Sequence, residues 1–97
     1  MPDLDTYFTA IEALRVSAAA ELEVIAQAAG RDSPLHLRCQ EAWRQREAAA
    51  SLSLQFDDFD NATEILDRGV HSLQHALDAA QREHLPVEQV YALIKSC

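Results

Sequence analysis

Three side chains in this sequence stand where they could share a ligand. Asp67, His71 and His75 follow one another at intervals of four, which on a helix of about 3.6 residues per turn stacks them on one face. Two imidazoles so placed can hold a divalent metal, with carboxylates completing the shell, and Asp78 falls about one turn further on. The same face also reads as a solvated one, laced by spaced pairs such as Glu64 with Arg68 and Asp78 with Arg82. A metal site needs three or four converging ligands, and a single helix supplies only part of that set. Ser72 occupies the place of a zincin glutamate, and no Glu-x-x-His occurs anywhere in the chain. No cofactor is expected.

A second cluster, Asp57, Asp58 and Asp60, has the charge but not the pattern of a calcium loop. Phe59 and Asn61 interrupt the alternating oxygens, and the central glycine and closing glutamate are missing. These acids serve better as the cap of a following helix, where the helix dipole favours negative charge. Their functional alternative is contact with a basic surface. Asp57, Asp58, Asp60, Glu64 and His71 are therefore the expected partner-binding residues, with Asp67, His71 and His75 as the metal alternative.

Trp43 lies among Arg38, Arg44 and Arg46, a grouping that could stack on a nucleobase or bind an anion. Glu41 and Glu47 dilute that charge. A lone tryptophan on a helix more commonly anchors a core or an interface, and Trp43 and Arg46 are assigned that role. Arg46 falls within an apolar stripe and Arg15 beside another, so each must snorkel to water or meet a carboxylate. Nucleophilic catalysis lacks a basis. The chain has two glycines, no Gly-x-Ser-x-Gly and no phosphate-cradling loop, and the reading is that it is not an enzyme.

The elements that carry these residues are helices, punctuated at Pro2, Gly30, Pro34 and Pro86. The first is expected over 4–29, with Asp3 as cap and Gly30 as a left-handed stop. Its stripe is Tyr7, Ile11, Leu14, Ala18, Leu22, Ile25 and Ala29. The second, 34–56 with Ser33 as cap, offers Leu35, Cys39, Ala42, Trp43, Ala49, Ala50, Leu54 and Phe56. The third is expected over 61–84, capped by Asp60 or Asn61, with Glu64 completing a capping box and His84 in the last turn. Leu66, Val70, Leu73, Leu77 and Ala80 form its stripe. Gly69, Ser72, Ala76 and Ala79 flank that stripe and admit a close neighbour. A short fourth helix, 87–95, offers Val87, Val90, Tyr91 and Ile94. No strand is expected, because apolar and polar residues nowhere alternate beside turn signals.

The predicted fold is all-α: one domain, an elongated antiparallel bundle of three long helices and a short C-terminal one. A 26-residue helix extends about 39 Å, whereas a compact globule of this length has a radius of gyration of only about 12.5 Å. Elongation, or pairing of long helices in a homodimer, follows. The core should be thin, since much of it is alanine.

Acidic residues number 16 against 8 basic, a net charge of -8. That excludes ordinary nucleic-acid binding, which depends on Lys and Arg displacing counterions. It favours attraction to a basic surface on another protein. Without an apolar run of membrane-spanning length or a leader-like N-terminus, a cytoplasmic location with Cys39 and Cys97 as free thiols is expected. The function expected is that of a small non-catalytic bacterial binding protein which inhibits or regulates a partner. Immunity proteins, antitoxins, phage-encoded inhibitors and anti-activators share that general profile, as an analogy of class. A metal-binding or metal-sensing bundle and a structural dimerisation module are the alternatives.

Overall fold

The computed structural model describes residues 3–96, and among these it contains four helices and no strand. They are α1 (Leu4–Ala29), α2 (Pro34–Gln55), α3 (Phe59–Gln81) and α4 (Val87–Lys95). The prolines at 34 and 86 punctuate as expected; Pro2 and Cys97 lie outside the described residues. The bundle measures 44 × 21 × 20 Å with a radius of gyration of 13.8 Å, larger than a sphere-like domain of this length would have, as its longest helix requires. None of the helices is long and apolar enough to cross a membrane.

Each stripe turns inward because burying it is the main favourable term available. The Asp3 side chain caps α1 and the Ser33 hydroxyl caps α2, each accepting a backbone N–H of the first turn. Gly30 adopts φ 104° and ψ 141°, so the stop uses the glycine's freedom at positive φ but is extended rather than left-handed helical. Cys39, Ala42, Ala50, Leu66, Leu73, Val90 and Ile94 are sealed in the core. Seven of its seventeen apolar residues are alanine, which makes it thin in side-chain volume.

The order of packing is a layer of α2 and α3 with α1 on one side and α4 on the other. Helices α1 and α4 both pack against α2 and α3 but never meet. Gly69 permits the closeness of α2 and α3. A Cβ there would fall 2.5 Å from Arg46 Cδ and 2.8 Å from Trp43 Cζ3, distances that real packing does not tolerate.

Helix boundaries differ from expectation at three places. The cap of α3 is Asp58, whose Oδ1 accepts from the Asn61 N–H at 3.2 Å, so the helix starts two residues early at Phe59. The reason is the turn before it. Asp57 takes φ 58°, and the Asp58 N–H donates to the Ser53 carbonyl at 2.9 Å, which aims Asp58 rather than Asp60 at the free N–H groups. The Asn61–Glu64 capping box therefore does not form; Glu64 pairs with Arg68 instead. At its other end α3 stops at Gln81, three residues short, and His84 sits in the following turn at φ 57°. Pro86 accounts for this, because the residue before a proline is driven out of helical geometry and the turn must be made upstream. Helix α2 ends at Gln55, and Phe56 is 77% exposed rather than part of the stripe. Ala49 is also exposed.

Candidate interaction groove

Between α1 and α3 runs an open groove of about 530 Å³. Its floor is Ala10, Ala13, Leu14 and Ser17 of α1, and its wall is Asp60, Thr63, Glu64 and Asp67 of α3. Helical periodicity builds both sides. Ala10, Ala13 and Ser17 recur at steps of three and four on the edge of α1 next to its buried stripe. Asp60, Glu64 and Asp67 do the same on α3. One floor is small and uncharged; the facing wall carries three carboxylates.

Tyr7 closes the lower end. Its hydroxyl donates to Asp60 Oδ1 at 2.6 Å, and because the neighbouring carboxylate stabilises the neutral phenol, the Tyr7 pKa is raised. The Tyr7 ring stacks on Phe59 with centroids 5.4 Å apart, and Phe8 meets Phe59 edge-on at 5.9 Å. This aromatic latch fixes the start of α1 to the start of α3. A second depression of about 470 Å³, lined by Asp5, Thr6, Thr9, Ala10 and Ala13, adjoins the first and shares Ala10 and Ala13 with it. The groove thus continues onto the outer face of α1 as far as Ala13, and beyond it on that face Val16 and Val24 stand 61% and 53% exposed.

Of the residues singled out from sequence, Asp60, Glu64 and Asp67 line this groove together. Asp57 and Asp58 build the turn below it, exposed, with Asp58 committed to capping. His71 lies a turn above Asp67, its Nδ1 2.9 Å from the Asp67 carbonyl and 3.6 Å from Asp67 Oδ2. His75 is exposed one turn further. Among the described residues no three His, Cys, Asp or Glu side chains gather as metal ligands.

Trp43 and Arg46 are both buried inside the bundle, against Gly69 of α3. Trp43 is buried with its indole N–H donating to Glu47 Oε1 at 2.9 Å. Arg46 neither snorkels nor meets a carboxylate: it is 4% exposed, with Nε donating to the Ile94 carbonyl and Nη1 to the Ile65 carbonyl, both at 2.5 Å. The physical reason is the end of α4, whose last carbonyls lack helical partners and carry the negative pole of that helix. Arg15 does find a carboxylate, Glu47, at 3.7 Å across α1 and α2. His36 is buried with Nδ1 2.9 Å from the Arg31 carbonyl. Cys39 is a free thiol, its pKa pushed up to about 11 by burial.

Sequence reasoning missed Tyr7, Ala10, Ala13 and Ser17. The signal was present on α1. Thr6, Thr9, Ala10, Ala13, Val16, Ser17, Ala20 and Val24 make an outer face without a single charge, in a chain where 25% of residues are charged. No protein-family model, curated protein or solved structure matches this chain.

Proposed function

We propose that this chain is a non-catalytic protein-binding module that seats a basic amphipathic helix of another protein in the α1–α3 groove, and so inhibits or regulates it. The observation that carries the reading is the pairing of an uncharged small-residue floor with the carboxylates of Asp60, Glu64 and Asp67 along one wall. Small side chains let a visiting helix approach closely, while carboxylates at the rim select a partner rich in Lys or Arg and speed its arrival. Occupying a basic helix that the partner needs elsewhere is a sufficient means of inhibition. A second copy of this chain fits the groove less well, because it would bring further acidic residues to an acidic wall.

Parallel affinity capture from the native host tests this, using the wild-type chain, Ala13→Arg and an Asp60→Lys, Glu64→Lys, Asp67→Lys triple variant. The expected result is one partner retained by the wild type, released by salt, and lost by both variants. Retention of the same partner by both variants would remove the groove from consideration. Sedimentation as a tight dimer that Ala13→Arg dissociates, with no other protein captured, would replace this reading with the dimerisation module.

A further inference from the structure

Five of the seven arginines lie beside a carboxylate: Arg15, Arg31, Arg38, Arg68 and Arg82. Arg44 is exposed on the outside of α2. The two remaining cations, Arg46 and Lys95, have no carboxylate partner among the described residues, and both line one cavity. That cavity, about 350 Å³, lies where the α2–α3 groove emerges from under the end of α4, and its other lining residues are Gln45, Ala49 and Ile65. Among the described residues no acid lines it, in a chain with twice as many acids as bases.

Arg46 is incompletely satisfied. Its charge is withdrawn from water and offset only by two carbonyl dipoles, which is costly for a guanidinium. Its Nη2 finds no acceptor, although buried donors nearly always do. Lys95 is exposed, its ammonium 5.5 Å from the centre of the Tyr91 ring. Ala49 and Ile65 add a small apolar lining beside the two cations.

We infer that this cavity is a binding site for a small organic oxyanion, a phosphate or carboxylate head on a compact apolar body. The head sits between Lys95 and the Arg46 guanidinium, and the body lies against Ala49 and Ile65. The anion takes the counter-ion position beside the guanidinium, whose Nη2 itself is shielded from solvent. The volume is at the small end of ligand pockets, which run from roughly 300 to 1,000 Å³. This site lies on the α4 side of the bundle, remote from the α1–α3 groove, so it stands or falls independently of the proposed function.

The test is titration of the full isotope-labelled chain with inorganic phosphate, phenyl phosphate and, as a neutral control, phenol, at fixed ionic strength. Saturable amide shifts are expected at Gln45, Ala49, Ile65 and Lys95. Phenyl phosphate should bind about fivefold tighter than phosphate, through the apolar lining, and phenol should not saturate. Lys95→Ala, which removes an exposed side chain outside the core, should weaken binding about tenfold by removing a charge-assisted hydrogen bond. Ala49→Leu should abolish phenyl phosphate binding by filling the cavity. Arg46→Met is informative only where it folds; the other two variants decide the matter without it. Non-saturating shifts, or affinity unchanged by both Lys95→Ala and Ala49→Leu, would overturn the assignment.

Discussion

The two sides of the α2–α3 layer hold their outer helices by different means. On one side α1 is long, and Ile11, Ala18 and Ile25 seat it by apolar contact along its length. On the other α4 has nine residues and buries only Val90 and Ile94. Directional polar bonds make up the difference. Arg38 forks onto Glu88 at 2.9 and 2.7 Å, Gln45 donates to the Tyr91 hydroxyl at 2.7 Å, and Arg46 takes the Ile94 carbonyl. A bundle with seven alanines among its seventeen buried apolar residues has little area to spend on a short helix, so position there comes from hydrogen-bond geometry. The consequence extends to function. The long helix can leave its outer face smooth and uncharged, while the short one brings Arg46 and Lys95 to one cavity at its end.

Removing what both sides share should have the largest effect. Trp43 is central to the layer, over Gly69, and Trp43→Ala should cost about 3–5 kcal/mol by leaving a cavity. Denaturant unfolding measures it. A loss below about 1 kcal/mol would mean that the layer does not depend on this ring.

Next in size is Gly69→Ala, for which the added methyl must displace Arg46 and Trp43 together. Overpacking of this kind costs about 1–3 kcal/mol. Arg46→Met sharpens the comparison, since it keeps the stem and removes the charge. If geometry rather than apolar area seats α4, amide exchange in α4 should quicken in Arg46→Met while α1 is unchanged. Equal quickening in both helices would erase the distinction drawn here.

How much of this was legible in the sequence follows from the same contrast. Asp3, Gly30 and Pro86 marked the ends of α1 and the start of α4, and helical spacing marked the face each buries. The α3 start was misplaced because three neighbouring acids could each cap it, and only the Asp57 turn selects Asp58. Arg46 was unreadable for a related reason. A buried cation implies a partner, but the backbone carbonyls that accept from it, of Ile94 and Ile65, leave no trace in residue type. The acidic wall of the groove was visible as charge on α3. Its floor was not sought, because small uncharged residues announce themselves only by what is absent.

Cys39 offers a smaller effect. A neutral, enclosed thiol is a poor nucleophile, and in a Cys97→Ser variant Cys39 should react with a disulfide reagent at pH 8 only as fast as the bundle opens. Labelling that outpaces global unfolding would show that a local opening, rather than loss of the whole layer, exposes it.

The smallest expected effect is also the most selective. Arg38 holds the Glu88 carboxyl below its ordinary value of 4.5, through two hydrogen bonds, and Arg31 does the same for Glu23 beside α1. A carboxyl whose pKa is lowered on folding adds stability above its unfolded value, and that stability disappears as pH falls through the lower native value. Both pairs are exposed, so each contribution is small and fades with salt. Glu88→Gln and Glu23→Gln should each flatten the acid limb of the stability curve, below the ordinary carboxyl range. Only Glu88→Gln should loosen α4 at neutral pH, because α1 keeps its apolar seat without Glu23. Amide exchange at Val90 and Ile94 reads this directly, and unchanged protection there in Glu88→Gln would leave Arg46 as the main polar hold on that helix.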